Sequence, residues 1–123
     1  MDEKTILIVD DDEDLQILYG LYLRGESYRI ERAYNGQEAL EKVEKNKPDL
    51  IILDIIMPVM DGEEFFTKLR VEKNIRDIPV IVASVNEKIS PKLFKLGGIH
   101  STLQKPFSID TLVGKVRDAL SHQ

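Results

Sequence analysis

The stretch Leu50-Ile51-Ile52-Leu53-Asp54 leaves the chain few ways to fold. It is apolar without the polar alternation of a half-exposed strand, and too short and Ile-rich for a good helix. It therefore reads as a strand buried on both faces and closed by one carboxylate. The chain repeats the arrangement near its start, where Thr5-Ile6-Leu7-Ile8-Val9 runs into Asp10-Asp11-Asp12. In open α/β sheets the carboxyl ends of the strands border the ligand crevice. If these two strands are parallel neighbours, three or four acids converge at one edge of the sheet.

Taken in order, the remaining segments alternate between strand and helix. Leu15, Leu18, Tyr19 and Tyr22 fall on one helical stripe that ends near Arg24-Gly25. Tyr28 to Ala33 reads as a second strand nearer an edge. Asn35 can cap a helix from Gly36 to Lys45 with Ala39, Leu40 and Val43 inward. Asp61 is a second N-cap, before a helix whose apolar face is Phe65, Phe66 and Leu69. Ile78 to Ala83 is a fourth, buried strand. A short helix over Ser90 to Leu96 ends at Gly97-Gly98, and Ser101 to Gln104 forms a fifth strand. Ser108 caps a last helix carrying Ile109, Leu112, Val113, Val116 and Leu120. Such alternation predicts a parallel sheet covered by helices on both faces. No linker divides the chain, so residues 1–123 are expected to form one domain with no room for an appended output domain.

Composition narrows the chemistry. With no cysteine, disulfides, thiolate metal sites and cysteine nucleophiles are excluded. No apolar run reaches the length of a membrane span and no signal-peptide layout opens the chain, so a cytoplasmic location without membrane contact is expected. A net charge of −5 argues against direct nucleic-acid binding, which calls for a basic face.

Clustered carboxylates repel unless a proton, a lysine or a cation intervenes. A small set of oxygen ligands suits Mg²⁺, which keeps several waters and shares phosphate oxygens. Asp10, Asp11 and Asp54 thus read as a partial Mg²⁺ site, whereas Asp12 and Asp14 read as a solvated helix start. Ser84 places a hydroxyl after the fourth strand, and Lys105 follows the fifth, just before Pro106. Alone, each is an ordinary turn or surface residue. Together, a carboxylate, a cation, a lysine and a hydroxyl are what transfer of a phosphoryl group onto Asp54 requires.

These residues resemble the receiver domain of two-component response regulators, and the chain is similar to single-domain chemotaxis and sporulation receivers. The resemblance rests on Ile8-Val9-Asp10-Asp11, on Asp49 to Asp54 followed by Met57-Pro58-Val59-Met60-Asp61-Gly62, on Ile78 to Ser84, and on Gln104-Lys105-Pro106-Phe107. It implies a flavodoxin-like, doubly wound five-stranded parallel sheet of order 2-1-3-4-5. It also implies phosphorylation of Asp54 by a sensor histidine kinase or phosphotransfer protein, with altered affinity for a downstream protein target. The domain would catalyse its own phosphorylation and dephosphorylation without turning over any other substrate. Mg²⁺ would be held by Asp10, Asp11, Asp54 and the backbone carbonyl of Ile56. Ser84 and Lys105 would contact the phosphoryl group, and the Lys105-Pro106 bond would be cis. Gln16 and Asp14 would contribute to kinase docking.

Several residues depart from the family pattern. Thr102 stands where an aromatic switch residue is usual, so coupling from Ser84 through that position cannot take its familiar form. Val85 replaces a small residue beside Ser84 and is expected to crowd the site. Pro91 and the double glycine make the fourth helix short. Phe107 is expected to pack beneath the Lys105 loop, and His100 and His122 are bystanders. Among rival functions, a dehalogenase-like phosphatase wants a second acid where Ile56 stands. A flavin or dinucleotide site wants glycines or hydroxyls where Asp10 to Asp12 stand. The remaining alternative is a pseudo-receiver, an interaction module that is never phosphorylated.

Overall fold

The computed structural model describes residues 3–55, 57, 60–85 and 89–121. Five parallel strands, β1 (Thr5–Val9), β2 (Arg29–Ala33), β3 (Leu50–Asp54), β4 (Val80–Ser84) and β5 (Ile99–Gln104), form one sheet of order β2-β1-β3-β4-β5. This is the expected flavodoxin-like order. β3 is buried along its whole length, as its unbroken apolar run requires, and β2 is an edge strand. From β1 the chain builds first to one side of the sheet and then returns to the other. Crossovers of one hand therefore put the first helix opposite the next three.

Two apolar layers result. On one face, α2 (Gly36–Lys45), α3 (Gly62–Thr67) and α4 (Pro91–Leu96) cover Leu7, Val9, Ile51, Leu53, Val80 and Val82. On the other, α1 (Glu13–Arg24) and α5 (Ile109–Ser121) cover the alternate residues Ile6, Ile8, Leu50, Ile52, Ile81 and Ala83. The helix starts follow capping chemistry. The carboxylate of Asp12 accepts from the amides of Asp14 and Leu15, Asn35 accepts from Glu38, and Asp61 accepts from Glu64. Asp12 is thus the helix-starting residue expected. Pro91 does not disturb α4, because it occupies the first turn, where its missing N–H costs nothing.

α1 departs from its expected stripe. Its buried residues are Gln16, Tyr19, Gly20 and Leu23, whereas Leu18 and Tyr22 remain 41% and 44% exposed. The helix is rotated by one residue, about 100°, from the purely apolar choice. The reason is polar: the Gln16 amide nitrogen donates to the carbonyls of Ile8, Asp10 and Ala33 at the carboxyl ends of β1 and β2. Completely buried, Gln16 cannot serve as the docking residue expected of it.

Arg70 is fully buried, although nothing in its sequence context sets it apart from a surface arginine. It lies in a π-helical turn over Lys68–Glu72, with its guanidinium 4.7 Å from the centre of the Phe66 ring. It donates to the carbonyls of Gly97 (3.0 Å), Ile75 (3.0 Å), Ile78 (2.7 Å) and Gly98 (3.4 Å). Burial first, and then the charge of Arg76, pulls its pKa below the usual value. Gly97 and Gly98 adopt φ of +83° and +90°, and a Cβ at Gly98 would lie 2.1 Å from the guanidinium. Arg70 therefore fastens the end of α4 to the start of β4. Replacing Arg70 with Met should keep the apolar stem but strand these carbonyls, costing about 3 kcal/mol. A lower urea midpoint at unchanged m-value would confirm this, and a midpoint within error of wild type would refute it.

Candidate functional site

β1 and β3 are in parallel register, with Val9 opposite Leu53. One residue further, Asp10 and Asp54 stand level on strands that neighbour one another at about 4.8 Å. With Asp11, they bring three carboxylate oxygens within 4.8 Å of one another, Asp10 and Asp54 buried and Asp11 exposed. Asp10 is held on both sides. Its carboxylate accepts the Asp12 amide at 2.9 Å, and its own amide donates to Ala33 at 3.1 Å.

Lys105 reaches this cluster from the loop after β5. Its Nζ lies 2.8 Å from Asp10 Oδ2 and 3.6 Å from Asp54 Oδ2, and the side chain is largely shielded. The loop is fixed where it begins, by the Lys105 amide donating to the Ser84 carbonyl at 2.9 Å. The Lys105-Pro106 bond is cis, as the resemblance implied. Ser84 is buried at the end of β4, so the carboxyl ends of β1, β3 and β4 and the loop after β5 meet at one edge. Phe107 turns inward, and its ring stacks on Tyr19 at 5.6 Å between centroids.

The donor set fits a hard divalent cation: three carboxylates, no nitrogen or sulfur, and a cluster open to solvent on the Asp11 side. Ile56, expected to add a carbonyl ligand, lies outside the described residues, as does His122. Thr102 is exposed on β5, and its carbonyl accepts from Lys115. It does not join the cluster. Val85 is exposed at the mouth of the site. His100 pairs with Asp118 at 3.0 Å, well apart from these acids in the sheet, at the opposite end of β5 from Lys105.

Two supporting residues were not recognised from the sequence. Gln16 pins the β1 and β2 ends, as described above. Gly62 opens α3 against the end of β3: its amide donates to Ile55 at 2.8 Å, and a Cβ there would meet the Asp54 carbonyl oxygen at 2.2 Å. Only glycine allows that approach, so Gly62 helps to set where Asp54 stands. The Asp61-Gly62 pair was visible as a helix start, but the backbone it touches was not.

The Tyr19 hydroxyl is buried without a hydrogen-bond partner among the described residues. Burial first, and then the charges of Asp10 and Asp54, push its pKa above the ordinary value of 10.0. An acid whose pKa rises on folding destabilises the native state once the unfolded chain begins to ionise, here above about pH 10. Tyr19→Phe should therefore leave neutral-pH stability intact and move the alkaline unfolding midpoint upward. An alkaline midpoint unchanged in a pH titration followed by far-UV CD would contradict this.

Comparison with known proteins places this geometry. Residues 6–117 match the response regulator receiver domain. The response regulator GtcR of Aneurinibacillus migulanus is 37% identical over 118 residues, covering 95% of this chain and 48% of that protein. The transcriptional regulatory protein PrrA of Mycobacterium tuberculosis is 38% identical over 116 residues, covering 94% of this chain and 49% of that protein. The chain spans about half the length of these curated relatives. Since PrrA is named a transcriptional regulator, the expectation of no nucleic-acid binding finds no support here. Among solved structures, chemotaxis protein CheY4 of Vibrio cholerae superposes with a TM-score of 0.83 at 31% identity, covering 97% of this chain and all of that one. A two-component response regulator from Clostridium difficile gives 0.86 at 30% identity, covering 97% of each chain. No described helix is long and apolar enough to cross a membrane. By sequence match over most of its length and by fold, this chain belongs to the response regulator receiver domain family.

Proposed function

We propose that this chain is a phosphorylation switch in which Asp54 accepts a phosphoryl group from a sensor histidine kinase or phosphotransfer protein. The observation that carries the reading is the meeting of Asp10, Asp11 and Asp54 within 4.8 Å, with Lys105 Nζ placed between Asp10 and Asp54. In this reading residues 1–123 work as one receiver domain in the cytoplasm, and phosphorylation changes affinity for a downstream protein target.

One oxygen of the Asp54 carboxylate attacks the phosphorus of a phosphohistidine. The P–N bond breaks, its electron pair stays on the imidazole nitrogen, and the imidazole leaves as a neutral ring once that nitrogen is protonated. Charge on the transferring group spreads over its three equatorial oxygens, and catalysis consists mainly of positioning and offsetting that charge. Lys105 supplies a fixed ammonium, and the Ser84 hydroxyl donates to a phosphoryl oxygen of the product. Asp10, Asp11 and Asp54 would hold Mg²⁺, which when bound neutralises the acids and draws the phosphoryl oxygens toward Asp54. Without that cation the incoming anion meets three carboxylates and one ammonium, an unfavourable balance. The same residues can position water for hydrolysis of the acyl phosphate, so the domain limits the life of its own signal.

Transmission follows a different route from the family's usual aromatic switch. Thr102 is exposed and has no ring to turn inward, so a shift at Ser84 passes to the Lys105 loop through the Ser84 carbonyl–Lys105 amide bond. Nothing among the described residues favours the unphosphorylated interaction module over this reading.

Incubation with Mg²⁺ and acetyl phosphate should add the mass of one phosphoryl group to the intact protein, and omission of Mg²⁺ should abolish it. The Asp54→Ala variant should stay unlabelled; label persisting there would remove Asp54 as the acceptor. Lys105→Ala should keep the wild-type far-UV CD spectrum yet slow phosphorylation roughly 100-fold, as loss of one preorganised donor does. A labelling rate equal to that of wild type would show that Lys105 merely pairs with Asp10.

A further inference from the structure

We infer that the groove between α1, the start of α5 and the Lys105 loop binds a small, uncharged aromatic molecule carrying a carbonyl-type hydrogen-bond acceptor. The groove encloses about 390 Å³. Small-molecule sites span roughly 300–1,000 Å³, are mostly apolar and hold a few placed polar groups. This groove has that form. Tyr19 and Leu112, both almost fully buried, line its depth, and the exposed Leu18, Tyr22 and Val85 line its mouth. Only Tyr19, Tyr22 and Lys105 bring polar side-chain atoms to it.

Shape, hydrogen bonding and charge together specify the occupant. The Phe107 ring stacks on Tyr19 at 5.6 Å between centroids, with 20° between the ring planes. A wall built of flat rings gives most contact to a flat ring laid against it. The Tyr19 hydroxyl is buried and has no hydrogen-bond partner among the described residues. Its raised pKa keeps it protonated at neutral pH, so it is a donor waiting for an acceptor. After burial, the charges of Asp10 and Asp54 weigh most on that hydroxyl, which sets it at the acidic end of the groove. A carboxylate there would meet a negative field. Lys105 does not reverse the field, because its ammonium already lies 2.8 Å from Asp10 and 3.6 Å from Asp54. A neutral carbonyl accepts the same hydrogen bond without that repulsion.

Other occupants fit less well. An extended peptide presents a backbone donor and an acceptor at nearly every residue, and the groove offers one unpaired hydroxyl. A bound water would pair that hydroxyl but leave the apolar walls facing solvent.

The test is a titration of the isotope-labelled chain with acetophenone, followed by amide NMR at neutral pH without Mg²⁺ or a phosphoryl donor. Shifts should cluster at Leu15, Tyr19, Tyr22, Phe107 and Leu112. α-Methylstyrene has the same shape with a methylene in place of the carbonyl oxygen. It should bind roughly ten-fold more weakly, the worth of one hydrogen bond. Benzoate should bind more weakly than acetophenone. In Tyr19→Phe, acetophenone should fall to the level of α-methylstyrene. Ile109→Asp places a carboxylate on the groove wall at the first turn of α5, where the helix dipole favours it, and should weaken acetophenone binding. Far-UV CD of both variants confirms that they are folded. Absence of groove shifts up to the solubility limit of acetophenone overturns the inference and leaves the groove to a protein partner. Shifts centred elsewhere overturn it too, as does wild-type affinity in Ile109→Asp. Equal binding of acetophenone and α-methylstyrene, a carbonyl preference that survives Tyr19→Phe, or tighter binding of benzoate removes the assigned chemistry. No phosphoryl transfer enters these measurements, so their outcome is separate from that of the Asp54 labelling.

Discussion

Like charges confined at the end of a sheet are the constraint around which this molecule is arranged. Parallel register sets Asp10 level with Asp54, and Asp11 completes a cluster within 4.8 Å. At that spacing the carboxylates repel one another, the buried pair Asp10 and Asp54 most strongly and the exposed Asp11 less because water screens it. Lys105, between Asp10 and Asp54, offsets part of this, and a divalent cation would offset more. The cluster is thus electrostatically unbalanced as it stands, which would suit the proposed admission of a cation and an anionic group together.

Keeping the acids close requires a rigid frame, and the frame is largely backbone. Gln16 gathers three carbonyls from the ends of β1 and β2. Gly62 lets the start of α3 close on the end of β3, where its amide donates to the Ile55 carbonyl. The Ser84 carbonyl receives the amide of Lys105, tying the lysine loop to β4. Each contact satisfies a polar group that a helix or strand end would otherwise leave exposed or orphaned. Arg70 does the same at the far side of the molecule, collecting the carbonyls around Gly97 and Gly98 where the short α4 gives way to β5. With Thr102 exposed, the Arg70 anchor and the Ser84–Lys105 link are among the polar contacts at the two ends of β4.

How much of this the sequence disclosed depended on the kind of signal. Asp10, Asp54 and Lys105 could be read because each ends or follows a strand whose apolar run is unmistakable. Asn35, Asp61 and Ser108 could be read because capping depends only on residues three positions away. α1 was misread because its burial is decided by a glutamine, and no hydrophobic pattern reports which carbonyls need a donor. Gly62 was legible as part of a turn but not as a close approach, since the atom it must avoid comes from the end of β3. Arg70 carried no signal at all. A buried arginine differs from an exposed one only in the four carbonyls supplied by residues up to 28 positions away.

The sequence by itself determined the alternation of strands and helices, the two-sided burial of β3 and the identity of the acids at strand ends. All of these are properties of local periodicity and local hydrogen bonding. Tertiary structure alone decided that Asp10 and Asp54 share a level, that Lys105 reaches both, and which face of α1 turns inward. Those depend on register between strands far apart in the chain and on where unsatisfied backbone groups collect, and neither quantity exists until the sheet has closed.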